Sequence, residues 1–221
     1  MQTEIDIYGH ELKLSRKIER IKKLKSISEK AKKKILQFQE DCLANGLSAA
    51  RILRYLDDLP RIAQLLDNKF EKPSVDDIKK VVREIDKKDI SPVSKQEFKK
   101  TIKKFYKWLN GSNEYPSCVQ WIKSSRKLNN NKLPEELLTE EEVKKMINAS
   151  GNPRDRAIIA TLWESGCRAG EMLLLRIKHV SFEETLTKIV VQGKTGMRRI
   201  PLLDSTPYLT DWIENHPLKE N

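Results

Sequence analysis

The sequence predicts a mainly α-helical protein with one small β-hairpin, arranged as two domains joined by a polar linker. Three observations predict it. Apolar residues recur at helical spacing in run after run, most of them opened by a capping residue. The period turns β-like only around 187–202, on either side of Gly193-Lys194-Thr195-Gly196, a hairpin signal. Charge is also lopsided. Residues 1–132 carry 31 Lys and Arg against 18 Asp and Glu, an excess of +13, whereas residues 133–221 carry 12 against 14.

Residues 11–27, rich in Lys and Arg, are expected to add a helix ahead of the well-marked runs. From Ser28, a cap, Ala31, Ile35, Phe38 and Cys42 recur on one face, and Asn45-Gly46 stops the helix. Ser48 caps a second run with Ile52, Leu53, Leu56 and Leu59 on one side. Pro60 is expected to kink or break it. A third begins at Ser74, with Asp76 and Asp77 in its first turn and Ile78, Val81, Val82 and Ile85 apolar. In the fourth, Phe98, Ile102, Phe105, Tyr106 and Leu109 form the stripe and Gly111 ends it. Four short helices with brief connections predict a compact bundle.

Residues 124–137, SSRKLNNNKLPEEL, are polar, hold an Asn triplet and a proline, and show no apolar period. The expected division is a helical domain over 1–127, a linker over 128–137 and a second domain over 138–221. That domain opens on a capping box, Thr139 with Glu142. Asn152-Pro153 starts the next helix, with Pro153 at its first position, Ala157, Ile158 and Leu162 on its stripe, and Gly166 at its end. A short helix over 168–175, the hairpin strands 187–192 and 199–202, and a helix over 205–215 complete the chain.

Composition narrows the function. No apolar run approaches the ~20 residues of a membrane span, and the N-terminus lacks a signal-like apolar region, so the expected compartment is the cytoplasm. Cys42, Cys118 and Cys167 are scattered and form no C-x-x-C pair. The basic excess points to a polyanion partner. On the fourth helix Lys95, Lys99, Lys100, Lys103, Lys104 and Lys107 share the polar face, with only Glu97 between them, so their repulsion is expected to go largely uncompensated. Lys30, Lys32, Lys33 and Lys34 crowd a helix start, where cations oppose the macrodipole. Nucleic-acid phosphates would compensate both groups.

Gly193-Lys194-Thr195 ends like a phosphate-binding P-loop. However, Lys188 stands where that motif needs glycine, and a β segment rather than a helix follows. His10, His179 and His216 stand far apart, so no metal site is expected; His216 is expected to be exposed. What remains is Arg168, Glu171 and Lys194. Arg168 falls at a helix start, where it can offer a bidentate pair to phosphate oxygens. Glu171, three residues on, shares its face and could fix its rotamer. Taken alone, the two would be an ordinary exposed salt pair, and Lys194 an exposed turn lysine.

In this order the segments Ser165-Gly166-Cys167-Arg168-Ala169-Gly170-Glu171-Met172, Leu175-Arg176-Ile177-Lys178-His179-Val180 and Gly193-Lys194-Thr195-Gly196-Met197-Arg198-Arg199-Ile200-Pro201-Leu202 resemble the start of the tyrosine recombinase catalytic domain, the phage-integrase and Xer family. The first half is similar to that family's SAM-like core-binding domain. The resemblance implies that Arg168 binds the scissile phosphate and stabilises its transition state, that Lys194 helps protonate the leaving 5′-hydroxyl, and that Glu171 supports the site. It implies double-stranded DNA as partner, self-association on DNA as tetramers, no cofactor and no small-molecule substrate. His179, the small Ala169-Gly170 and Met197 depart from the usual pattern.

The family also needs a His-x-x-Arg and a tyrosine nucleophile, which lie well beyond the hairpin. Tyr208 and His216-x-x-Lys219 follow the hairpin too soon to fill these roles. The expectation is therefore an N-terminal piece of a recombinase, with a truncated catalytic domain, that binds DNA without catalysing alone. The competing expectations are a stand-alone recombination accessory and a helical protein–protein adaptor.

Overall fold

The computed structural model describes residues 6–123, 137–193 and 196–218. They fall into two compact units, one within Tyr8–Asn130 and one within Met1–Ile7 and Asn131–Asn221. Of the expected linker only Leu137 lies among the described residues.

The first unit is built from helices α1 (His10–Lys22), α2 (Glu29–Ala44), α3 (Ala49–Leu66), α4 (Val75–Asp86), α5 (Pro92–Leu109) and α6 (Ser117–Gln120). The expected caps recur as geometry. The Ser28 hydroxyl accepts from Ala31 N, and Ser74 and Asp77 form a full capping box. Gly46, at φ 73°, takes the left-handed turn after α2. Ser48 precedes α3 without a side-chain cap bond.

Pro60 neither breaks α3 nor ends it; the helix runs six residues further, to Leu66. A mid-helix proline costs about 3 kcal/mol. Around it Leu59 and Ile62 are fully buried and Ala63 and Leu66 nearly so. Each large aliphatic side chain so buried returns about 1.5–3 kcal/mol, so packing outweighs the missing hydrogen bond. α3 is the hub on which α1, α2, α4 and α5 pack. The core beneath it is aromatic, with Phe105 in ring contact with Phe38, Phe70, Tyr106 and Trp108.

The second unit holds α7 (Glu140–Ala149), α8 (Pro153–Ser165), α9 (Ala169–Leu173), strands β1 (Val180–Phe182), β2 (Thr187–Gly193) and β3 (Gly196–Leu202), and α10 (Thr206–Glu214). The strands form an antiparallel sheet in the order β1-β2-β3. β1, only three residues long, carries no alternation that sequence reading could find. In register, Ile189 faces Ile200, Val191 faces Arg198 and Gly193 faces Gly196. α8 packs between α7 and α10 and touches β3, while α9 lies on β2. Ile189, Val191 and Leu202 close a small core with Ala157, Cys167, Met172 and Leu209. His216 is half-buried, its ring against Trp212, rather than exposed. A strand, not a helix, follows Gly193-Lys194-Thr195, as the case against a P-loop required. Among the described residues no helix is long and apolar enough to cross a membrane.

Candidate functional site

α8 stops because Gly166 adopts φ 57°, a conformation that side chains resist. The chain then buries Cys167 and brings Arg168 to the N-cap of α9. α9 has only five residues, so its dipole adds little; the anion-binding capacity rests on the Arg168 side chain. That side chain is 68% exposed, whereas the Glu171 side chain beside it is 4% exposed.

Glu171 organises the cluster. Its Oε2 accepts from the Arg168 backbone N–H at 2.9 Å, and its Oε1 accepts from Arg168 Nη1 at 2.9 Å. A third partner comes from β3. Arg198 donates from Nη2 to Oε2 at 2.8 Å and from Nη1 to Oε1 at 3.2 Å. These bonds, the Arg198 pair foremost and the Arg168 N–H next, hold the Glu171 carboxyl down to about 2. In return Glu171 raises the Arg198 guanidinium further above its ordinary value. Two guanidiniums against one carboxylate leave one net positive charge. Arg168 Nε and Nη2 have no hydrogen-bond partner among the described residues, so an anion can take them.

The structure pairs Arg168 with Glu171 at the start of α9, as their i,i+3 spacing leads one to expect, and adds Arg198, which sequence reading passed over. The signal was there: Arg198 shares parity with Ile200 and Leu202, the inward set of β3, and an inward arginine needs a carboxylate. Gly193 was also undervalued. A Cβ at residue 193 would stand 2.1 Å from Glu171 Oε1 and 3.1 Å from its Cδ. The carboxylate occupies space that a side chain at position 193 would fill. Lys194, the next residue along, lies outside the described residues.

The lysines of the helical unit divide. Lys32 is buried, and its Nζ donates to Lys22 O at 3.1 Å and Glu29 Oε1 at 2.6 Å, so this ammonium is engaged inside the unit. The α5 face is engaged more than expected, mostly by groups on neighbouring elements. Lys95 donates to Asp86 O at 2.7 Å, Lys99 pairs with Asp86 at 2.8 Å, and Lys100 pairs with Glu97 at 2.6 Å. Lys103 donates to Ile122 O at 3.1 Å, and both it and Lys107 stand over the Tyr115 ring, at 4.3 and 5.2 Å. Lys34 donates to Gln37 at 3.3 Å. Lys30, Lys33 and Lys104 are exposed and have no ion-pair partner among the described residues. Lys104 and Lys107 line a shallow recess with Trp108, Gly111, Ser112 and Asn113 at the end of α5.

Residues 136–221 match the model of the phage integrase family. The chain is 39% identical over 85 residues to the tyrosine recombinase XerA of Pyrococcus horikoshii, a stretch covering 37% of this chain and 30% of that protein. It is 35% identical over 97 residues to the tyrosine recombinase XerA of Pyrococcus furiosus, covering 42% of this chain and 33% of that protein. The chain thus spans about a third of the length of the curated relatives it matches. Among solved structures, a XerH site-specific recombinase bound to palindromic difH substrate in a post-cleavage complex aligns with a TM-score of 0.58 and 15% identity, over 99% of this chain and 71% of that one. A pre-cleavage complex of XerH with difH substrate aligns with a TM-score of 0.52 and 19% identity, over 78% and 52%. At these identities the likeness is one of fold.

Proposed function

We propose, from the match of residues 136–221 to the phage integrase family model and their likeness to tyrosine recombinases, that the chain is a duplex-DNA-binding part of a site-specific recombinase. The observation that carries the reading is the exposed Arg168 guanidinium, tethered at one nitrogen by a buried carboxylate. Such an arginine is held ready for an oxyanion, and a phosphodiester entering a pentavalent transition state gains most from a donor already in place. In this reading Arg168 binds the scissile phosphate, Glu171 orients it, and Lys194 serves the leaving 5′-hydroxyl. Residues 1–127 form the core-binding domain, and its exposed lysines, Lys30, Lys33 and Lys104 first among them, track the DNA backbone.

The covalent step would need a tyrosine hydroxyl to attack phosphorus while the P–O5′ bond breaks and the 5′-oxygen takes up a proton. Tyr208, the tyrosine that follows the hairpin, is half-buried against both small cores of its unit. On this reading residues 1–221 bind DNA without becoming attached to it. The reading is tested by duplex-DNA binding of the wild-type chain and Arg168→Ala, together with incubation on a nicked duplex. It requires weaker binding by the variant and no covalent adduct with either protein. Equal affinities, or an adduct, would overturn it.

A further inference from the structure

We propose that Arg198 and Gly193 are positioning residues for Arg168, acting through Glu171, and that this bracket sets the end of β2 and the start of β3 against the start of α9. The inference rests on reading Arg168 as a phosphate ligand, but the bracket itself is argued from geometry alone.

Arg198 approaches Glu171 with both Nη atoms, one on each carboxylate oxygen, at 3.2 and 2.8 Å. A two-point contact of this kind fixes the plane of the carboxylate as well as its position. Arg168 then binds the same two oxygens through its backbone N–H and Nη1, so its approach direction is set by Arg198. The labour is divided. Arg198, with both Nη atoms committed, holds the carboxylate, and Arg168, with one committed, keeps donors for a phosphate. Exposure agrees, since the Arg198 side chain is 39% exposed and the Arg168 side chain 68%.

Gly193 supplies the space. A methyl group there would collide with Glu171 Oε1 at 2.1 Å, so the carboxylate would have to shift from the position in which it meets both arginines. The requirement is one of volume, because Gly193, unlike Gly166, does not adopt a left-handed φ. One carboxylate thus ties the segment bearing Arg168 to the end of β2 and to β3.

The test uses the 221-residue chain without DNA. Ionisation of Glu171 is followed through the amide shift of Arg168, whose N–H it accepts, in wild type, Arg198→Lys, Arg198→Met and Gly193→Ala. The midpoint is expected to rise by about one pH unit or more in Arg198→Met and Gly193→Ala, with Arg198→Lys between them and wild type. In parallel, Gly193→Ala should lower Tm in the wild-type background and have almost no effect in Glu171→Ala, where the colliding carboxylate is gone. Midpoints that coincide in wild type and Arg198→Met, or an equal cost of Gly193→Ala with and without Glu171, would overturn the bracket. Should Arg198→Met not fold, Arg198→Lys and the Gly193–Glu171 cycle decide alone. A final arm adds duplex DNA. Arg198→Met placed on Arg168→Ala should weaken binding no further, and a further loss would make Arg198 a DNA ligand in its own right, against the proposal. Failure of Arg168→Ala itself to weaken binding counts against the DNA reading, while the DNA-free arms still judge the bracket.

Discussion

Glu164, in the last turn of α8, takes both donors of Ser205 on its Oε2, the backbone N–H at 2.8 Å and the hydroxyl at 2.5 Å. Its Oε1 accepts from Leu203 N at 2.6 Å and Asp204 N at 3.2 Å. One carboxylate thus ties the end of the helix that leads to Arg168 to the turn leaving β3. Burial opposes the ionised form, yet these donors prevail and the carboxyl lies below its ordinary value. Glu164→Ala leaves the donors of the buried Ser205 without their partner. We expect a loss of about 2 kcal/mol in the C-terminal unit, read by urea unfolding.

Acid should release Arg168 only at very low pH. The Glu171 carboxyl falls from an ordinary 4.5 to about 2, so its stabilisation is fully present above 4.5 and is lost as pH drops through about 2. The Tm difference between wild type and Glu171→Gln should be constant above pH 5 and shrink steadily below about 4. A difference that grows on acidification would contradict the assignment of partners.

The turn into the site should be sensitive to glycine replacement. Gly166 adopts φ 57° with no atom crowding its Cβ position, so the penalty of Gly166→Ala is conformational. About 1 kcal/mol is expected by chemical denaturation. In the helical unit, Phe105→Ala removes a fully buried ring in contact with four others. There the loss should be about 3–5 kcal/mol.

Two neighbouring lysines should behave in opposite ways. Lys33 is exposed and without an ion-pair partner among the described residues, whereas Lys32 is buried on Glu29 and the Lys22 carbonyl. Lys33→Ala, like Lys104→Ala, should weaken duplex binding and reduce the salt slope by about one. Lys32→Ala should lower Tm and leave the slope unchanged. Melting curves and salt titrations of the three variants check this.

Much of the fold was legible because local chemistry announces it. Ser28, Ser74, Thr139 and Asn152 all cap the helices they were expected to cap. The misses have physical causes. Of the expected kink or break at Pro60, the break does not occur, because local propensity says nothing of the burial on either side of it. β1 is too short to alternate. The lysines of α5 looked uncompensated because their partners, Asp86, Ile122 and Tyr115, lie on other elements. At the site, Arg168 and Glu171 were visible as an i,i+3 pair. That Glu171 is buried, and that Arg198 crosses 27 positions to reach it, depends on the pairing register of β2 and β3, which hydrophobic spacing alone did not reveal.

The central claim, that this chain grips the DNA backbone through exposed cations on the helical unit and Arg168 on the other, is tested most directly by duplex affinity as a function of salt. We expect log K against log [salt] to fall with a slope of about −5 or steeper between about 50 and 200 mM, and to be shallower by about one in Arg168→Ala. A flat response, or no binding at about 50 mM salt, would contradict it.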